Sequence, residues 1–221
     1  MITGKIKIDR RNFVKKTSVL ATGLSGLAMF PQATHAIEKS PEDNIHQVGP
    51  KEGFSPQVGT LVSMMNWMRM VVLQSVKDIT RQDLDYIHDQ KSNTIGSMLL
   101  HLVATEVFFQ ANTFEGRKEY NESEKTKWNI PMNLGEEARK KIKGNELSYY
   151  LDVLQSTREK TVAEFRKRDD RWLMSVDPTF FNGQPTNNYC KWFHVCEHES
   201  NHNGQIKWIK GRISGAKPGR D

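Results

Sequence analysis

Cysteine is scarce: only Cys190 and Cys196 occur in 221 residues. A disulfide framework needs more, and six positions apart on one helix the two side chains point in different directions and cannot bridge. Long apolar runs are missing too. No stretch of 18 or more apolar residues exists, so no membrane-spanning helix is expected. Nor is there a lasting excess of one charge. The net charge of +6 is concentrated at the start of the chain, where residues 1–36 hold six Lys/Arg and one acid, leaving 26 basic and 25 acidic residues in 37–221. With that segment removed, no overall basic footprint for nucleic acid remains. Period-two alternation and internal repeats are also lacking, which leaves helical periodicity as the only pattern to build on.

The first segment reads as an export signal over residues 1–36. A positive region runs from Lys5 to Lys16, a modest apolar core from Thr17 to Phe30, and Thr34 and Ala36 form a small-x-small cleavage pattern with the cut after Ala36. Asp9-Arg10-Arg11-Asn12-Phe13-Val14-Lys15 resembles the twin-arginine export motif, with Asp9 in place of the usual Ser or Thr. That resemblance implies a periplasmic or secreted protein, exported folded and often with its cofactor, and no stable membrane insertion after cleavage. No Cys follows the apolar core, so no lipid anchor is expected.

Residues 37–55 carry Pro41, Gly49, Pro50 and Gly53 and read as a linker. Ser55-Pro56 then opens a first helix over 56–79, with Leu61, Met64, Met65, Met68, Val72 and Val76 at helical spacing. Its methionines read as flexible core filler. Residues 80–92 are polar and turn-like, and His88 reads as a surface residue. A second helix is predicted over 93–114, broad in its apolar face, with His101 set between Leu100 and Leu102. Residues 115–145, with Gly116, Pro131, Gly135 and Gly144, read as a long loop with at most one short helix. A third helix is predicted over 146–170, a second loop over 171–185 and a fourth helix over 186–213. Four amphipathic helices with one longer connection predict an all-α, up-down four-helix bundle.

The chemistry concentrates in His194-Val195-Cys196-Glu197-His198-Glu199-Ser200-Asn201-His202-Asn203-Gly204-Gln205. Histidines four apart stack on one helix face, about 6 Å apart along the axis, and such a pair grips a transition metal. His194 and His202 are about 12 Å apart along the axis, too far to share one ion comfortably. The working pair is therefore His194/His198 or His198/His202. A further ligand must come from a facing helix, where His101 is the available donor. Cys196 reads as a small buried hydrophobe rather than a nucleophile.

Two stretches carry a resemblance. Thr94 to Glu106 and Glu197 to Ile206 resemble the signature segments of the DinB/YfiT-like metalloprotein superfamily, in matching helix order across most of 56–213. The resemblance implies a DinB-like four-helix metal-binding domain over 56–215, followed by a short tail, 216–221. It also implies the ligand set His101, His198 and His202, with His194 one turn outside. The Arg common after the last His is Asn203 here, so a role in holding an anion is not implied for that position; Gly204 and Gln205 match.

The implied cofactor is a divalent transition metal, with zinc, nickel or iron all suited to nitrogen ligands. Three neutral imidazoles leave an ion its full charge and open positions. Glu106 is the preferred candidate for acid or base work, ahead of Glu197 and Glu199. Family members include thiol-dependent transferases and an isomerase, and export argues against a cytosolic thiol as the usual partner. The expectation is a metal-dependent transferase or hydrolase of an unidentified small-molecule substrate, with a non-catalytic metal-binding or stress-related bundle as the alternative. The resemblance also allows a homodimer, since family members often pair through bundle faces, with no feature of the sequence fixing which face.

Overall fold

The protein is described here by a computed structural model covering residues 44–216. The predicted export signal at 1–36 and the last five residues lie outside the described residues. The elements in chain order are α1 (Pro56–Val76), α2 (Arg81–Leu84), α3 (Ile95–Glu115), α4 (Glu122–Asn133), α5 (Gly135–Lys141), α6 (Leu147–Phe165), α7 (Asp170–Met174), β1 (Val176–Phe181), β2 (Gln184–Asn187) and α8 (Asn188–Lys210). The four long helices α1, α3, α6 and α8 are the four that periodicity predicts.

Their ends follow from local chemistry. Thr94 caps α3 by accepting from the Ser97 amide, and the helix stops at Gly116, which takes the left-handed conformation (φ 68°) that lets the Arg117 amide close on Ala111 O. Asn187 caps α8 through the Cys190 amide. Helix α3 is buried nearly all round from Ile95 to Ala111, so it forms the axis of the domain. It packs against α6 on one side and α8 on another, and α8 also packs on α1. Gly96 permits the closest approach: a Cβ there would stand 2.6 Å from the Tyr150 hydroxyl of α6. Helices α1 and α6 face each other across a groove of about 760 Å³.

Two apolar clusters result. One surrounds α3 with Met98, Leu99, Leu102, Val103, Tyr150, Leu154 and Ile206. The other is aromatic, where Phe109, Phe114, Phe165 and Trp192 meet with centroids 4.8–6.2 Å apart. Met65 is fully buried and Met64 and Met68 pack against this cluster, as core filler should. Residues 44–55 run along α1: the Gly49 amide reaches Ser63 Oγ at 3.4 Å, and a Cβ on Gly59 would strike the Lys51 amide nitrogen.

Two segments differ from the sequence expectation. Residues 115–145 form two helices, α4 and α5, rather than a loop with at most one. Helix α4 begins with a full capping box between Asn121 and Glu124, but buries only Trp128 and Pro131. Its apolar residues, Trp128, Ile130, Pro131 and Met132, crowd into its last turn and a half after a polar start, so no helical apolar stripe is visible. Residues 171–185 contain a short helix and an antiparallel hairpin, where no strand was expected. The turn is Asn182-Gly183, both with positive φ (51° and 73°), as a tight hairpin turn requires. The strands are half-exposed and Phe180 and Phe181 are adjacent, which hides the alternation.

Candidate metal centre

Helices α3 and α8 bring His101, His198 and His202 together. Their candidate ligand atoms all lie within 4.8 Å of one another, and the ring centroids are 4.6–5.0 Å apart. His101 and His202 are buried, and His198 is half-buried. On α8 the two histidines stand one turn apart on a single face, turned toward α3.

The His101 ring is fixed from behind. Its Nδ1 lies 3.0 Å from Pro131 O on α4. A carbonyl oxygen only accepts, so Nδ1 carries the proton and the lone pair sits on Nε2. That Nε2 faces His198 Nε2 at 2.9 Å. Burial holds all three imidazoles below their ordinary range: His101 is lowered against partial opposition from the Pro131 and Met132 carbonyls. Burial and repulsion from the neighbouring imidazoles bring His198 down to about 3. Burial and His101 bring His202 down to about 4, against a pull from Gln205. At neutral pH the cluster is three uncharged rings with lone pairs converging.

That arrangement fits a cation. Two nitrogens each about 2.0–2.1 Å from one ion stand about 2.9 Å apart at a right angle and about 3.4 Å apart at a tetrahedral one. The gap between His101 and His198 lies in that range. His202 Nδ1 is buried with no hydrogen-bond partner, a cost that a site with no ligand would leave uncompensated.

His101 and His198 line a cavity of about 980 Å³. One wall comes from α3 and α8, and the rest from the two segments that sequence periodicity could not place. The connection into α4 contributes Lys118 and Tyr120, α4 itself Asn129 and Asn133, and the hairpin Asp177, Phe180, Phe181 and Asn182. Lys191 pins the hairpin in place. Buried on α8, it donates to Asp177 Oδ2 at 2.9 Å and Asn112 Oδ1 at 2.8 Å, and lies 4.0 Å over the Phe180 ring. Thr105, one turn beyond His101, also lines the cavity, and its hydroxyl is buried without a partner. The signal for these walls was the Asn182-Gly183 dipeptide and the Asn121-x-x-Glu124 cap, both legible as local chemistry.

His194 sits one turn toward the cavity mouth, its ring against Phe109 and Phe181 and its Nδ1 2.8 Å from Glu197 Oε1. Glu106, the preferred acid–base residue by sequence, is placed elsewhere. It is fully buried and belongs to a four-charge centre with one member from each long helix: Arg69 of α1, Glu106 of α3, Arg158 of α6 and Glu199 of α8. Arg158 Nε and Nη2 donate to the two oxygens of Glu106 at 2.8 and 3.2 Å, and Thr161 donates at 2.6 Å. Arg69 Nη2 reaches Glu106 at 2.8 Å and Glu199 at 2.6 Å. Arg69 Nε and Arg158 Nη2 also donate to Glu199 Oε1, at 3.0 and 2.7 Å, and the two Nη1 groups end on Leu154 O and Met65 O. Burial pushes the Glu106 carboxyl up, but the two guanidiniums outweigh it and leave it at about 2. Cys196 is buried, and its thiol is pushed up to about 11 by burial and by Glu199, so it is no nucleophile at neutral pH.

The family model of the mycothiol-S-transferases matches residues 60–215, which spans α1 to the end of α8. The chain belongs to that family, one of DinB/YfiT-like type, and the all-α bundle agrees with it. No curated protein matches the chain.

Proposed function

We propose that this mycothiol-S-transferase family member is a metal-dependent transferase acting on small molecules, with a divalent transition-metal ion held by His101, His198 and His202. The observation that carries the reading is the convergence of three neutral imidazoles, two of which, His101 and His198, line a ligand-sized cavity. An ion bound there supplies Lewis acidity, lowering the pKa of a bound water or thiol or polarising a carbonyl.

The chain's own residues account for the rest. Pro131 O orients His101, so its Nε2 lone pair is presented without a search of tautomers. Phe108, Phe109, Phe180 and Phe181 supply apolar wall, and the Thr105 hydroxyl and the amides of Asn129 and Asn133 supply polar contacts. A volume near the top of the usual range of about 300–1,000 Å³ for ligand pockets suits two reactants held side by side, which favours transfer over hydrolysis. The buried Cys196 thiol offers no nucleophile, so a thiol in the reaction arrives with a substrate. In this reading Glu106 holds the four helices together and keeps its charge, rather than moving a proton. The twin-arginine-like start of the chain supports export in the folded, loaded state, and hence a thiol donor found outside the cytoplasm.

The test is to purify the full-length protein, measure its metal content, and assay thiol transfer to small electrophiles with and without chelator. Activity that a chelator removes and re-metallation restores is the expected result. Turnover that survives His198→Ala overturns the assignment.

A further inference from the structure

We propose that α8 carries a second, outer position for a divalent transition-metal ion, made by His194, Glu197 and His198, through which the ion passes to the inner trio. It rests on the reading above only in taking His101, His198 and His202 as the destination. The three outer side chains bring candidate ligand atoms within 4.8 Å of one another. Glu197 Oε1 is 2.8 Å from His194 Nδ1, and the His194 and His198 rings are 5.2 Å apart.

Helical spacing explains the grouping. Positions 194, 197 and 198 are related by three and four residues and share one face. Position 202 continues that face inward, so His198 belongs to both sets. The two sets differ in burial: the His194 and Glu197 side chains are 36 % and 45 % exposed, whereas His101 and His202 are 9 % and 6 % exposed. His194 and Glu197 are therefore more open to solvent than His101 and His202, with the half-buried His198 between them. His194 is also held rather than loose, wedged against Phe109 and Phe181 at the cavity wall.

The chemistry of the two sets differs in the same sense. The inner donors are three neutral nitrogens, which exert no long-range pull on a cation. The outer set includes a carboxylate, which draws a cation from water and accepts it with part of its hydration intact. Two imidazoles and one carboxylate suit zinc, cobalt or nickel rather than magnesium or calcium, which take oxygen ligands. Handing over then needs one ring, His198, to stay bound while Glu197 and His194 are exchanged for His101 and His202. An ion dehydrated stepwise in this way avoids losing its water shell in one step at a buried apolar site.

Cobalt(II) is the probe, because its visible spectrum reports ligand geometry. The full-length protein carrying His101→Ala and His202→Ala should still bind one Co²⁺ per chain, more weakly than wild type, and adding His194→Ala with Glu197→Gln should abolish that binding. On the intact inner site, the exposed double change His194→Ala/Glu197→Gln should leave the final spectrum as in wild type but slow Co²⁺ uptake in stopped flow by about tenfold or more. Uptake at the wild-type rate overturns the proposal, as does an inner-site variant that folds by circular dichroism yet binds no Co²⁺. If instead the spectrum and affinity of wild type are unchanged by His101→Ala/His202→Ala, the inner assignment fails while the outer one stands.

Discussion

Two polar centres sit inside this bundle, and they are built on opposite principles. The four-charge centre of Arg69, Glu106, Arg158 and Glu199 takes one side chain from each long helix and sums to zero. Its charges are matched, and nearly every donor and acceptor is used; Glu199 Oε2 is the exception. The histidine centre takes its groups from two helices, carries no charge of its own and turns lone pairs toward one another. One centre pairs its charges internally, and the other groups three nitrogens that could hold a cation. The difference teaches which buried polar group to read as architecture and which as function: satisfaction, more than burial, separates them.

The largest test of the contrast is to unbalance the complete centre. Glu106→Gln leaves two buried guanidiniums facing one carboxylate, and should cost about 3–5 kcal/mol of stability, read as a fall in the urea midpoint at unchanged slope. A loss of activity without loss of stability would return Glu106 to the chemistry. Acid tests the same point in sign. The Glu106 carboxyl is held at about 2 in the folded protein, so its stabilising contribution is full above the ordinary carboxylate range and is lost as pH falls through about 2.

Next in size is the incomplete centre. His198→Ala should lower metal affinity by well over the about 10–100-fold that loss of a supporting group costs. The metal-free protein should keep its unfolding midpoint within about 1 kcal/mol, since a half-buried ring with no charge partner is removed. Equal damage to fold and metal binding would erase the distinction drawn between the centres.

A smaller effect sharpens where α3 gets its precision. Gly96→Ala places a methyl against the Tyr150 hydroxyl and should cost about 1–3 kcal/mol by overpacking, with metal affinity falling only as far as α3 shifts. Calorimetry with and without Zn²⁺ separates the two.

The smallest effect concerns pH and metal. Protons compete for the histidines only near the depressed values of about 3 and 4 for His198 and His202. Affinity for Co²⁺ should therefore change by less than about tenfold between pH 7 and pH 5. A steep fall beginning near pH 6.5, the range of an ordinary histidine, would show that burial does not govern these rings.

Much of this was readable before any coordinates. The four long helices followed from apolar spacing, and the start of α1 from Ser55-Pro56. The pairing of His198 with His202 followed from the helical repeat, and His101 from the resemblance carried by Thr94 to Glu106. The cavity walls did not follow. Helix α4 crowds its apolar residues into its last turn and a half, and the hairpin carries its aromatic residues side by side, so neither shows a period that signals burial. The setting of Glu106 was not legible for a related reason: adjacency along α3 suggested a site residue, and nothing local revealed that Arg69 and Arg158 would converge on it from 37 and 52 residues away.

The sequence by itself determined the four long helices, the start of α1, the spacing that puts His198 and His202 on one face of α8 and the family that the chain belongs to, because each depends on residues within a few turns of one another. Only the tertiary structure decided which carboxylates are neutralised, which nitrogens face each other, and what encloses the cavity. Those depend on side chains that meet across helices, where charge balance and desolvation are set by neighbours that the order of residues does not place together.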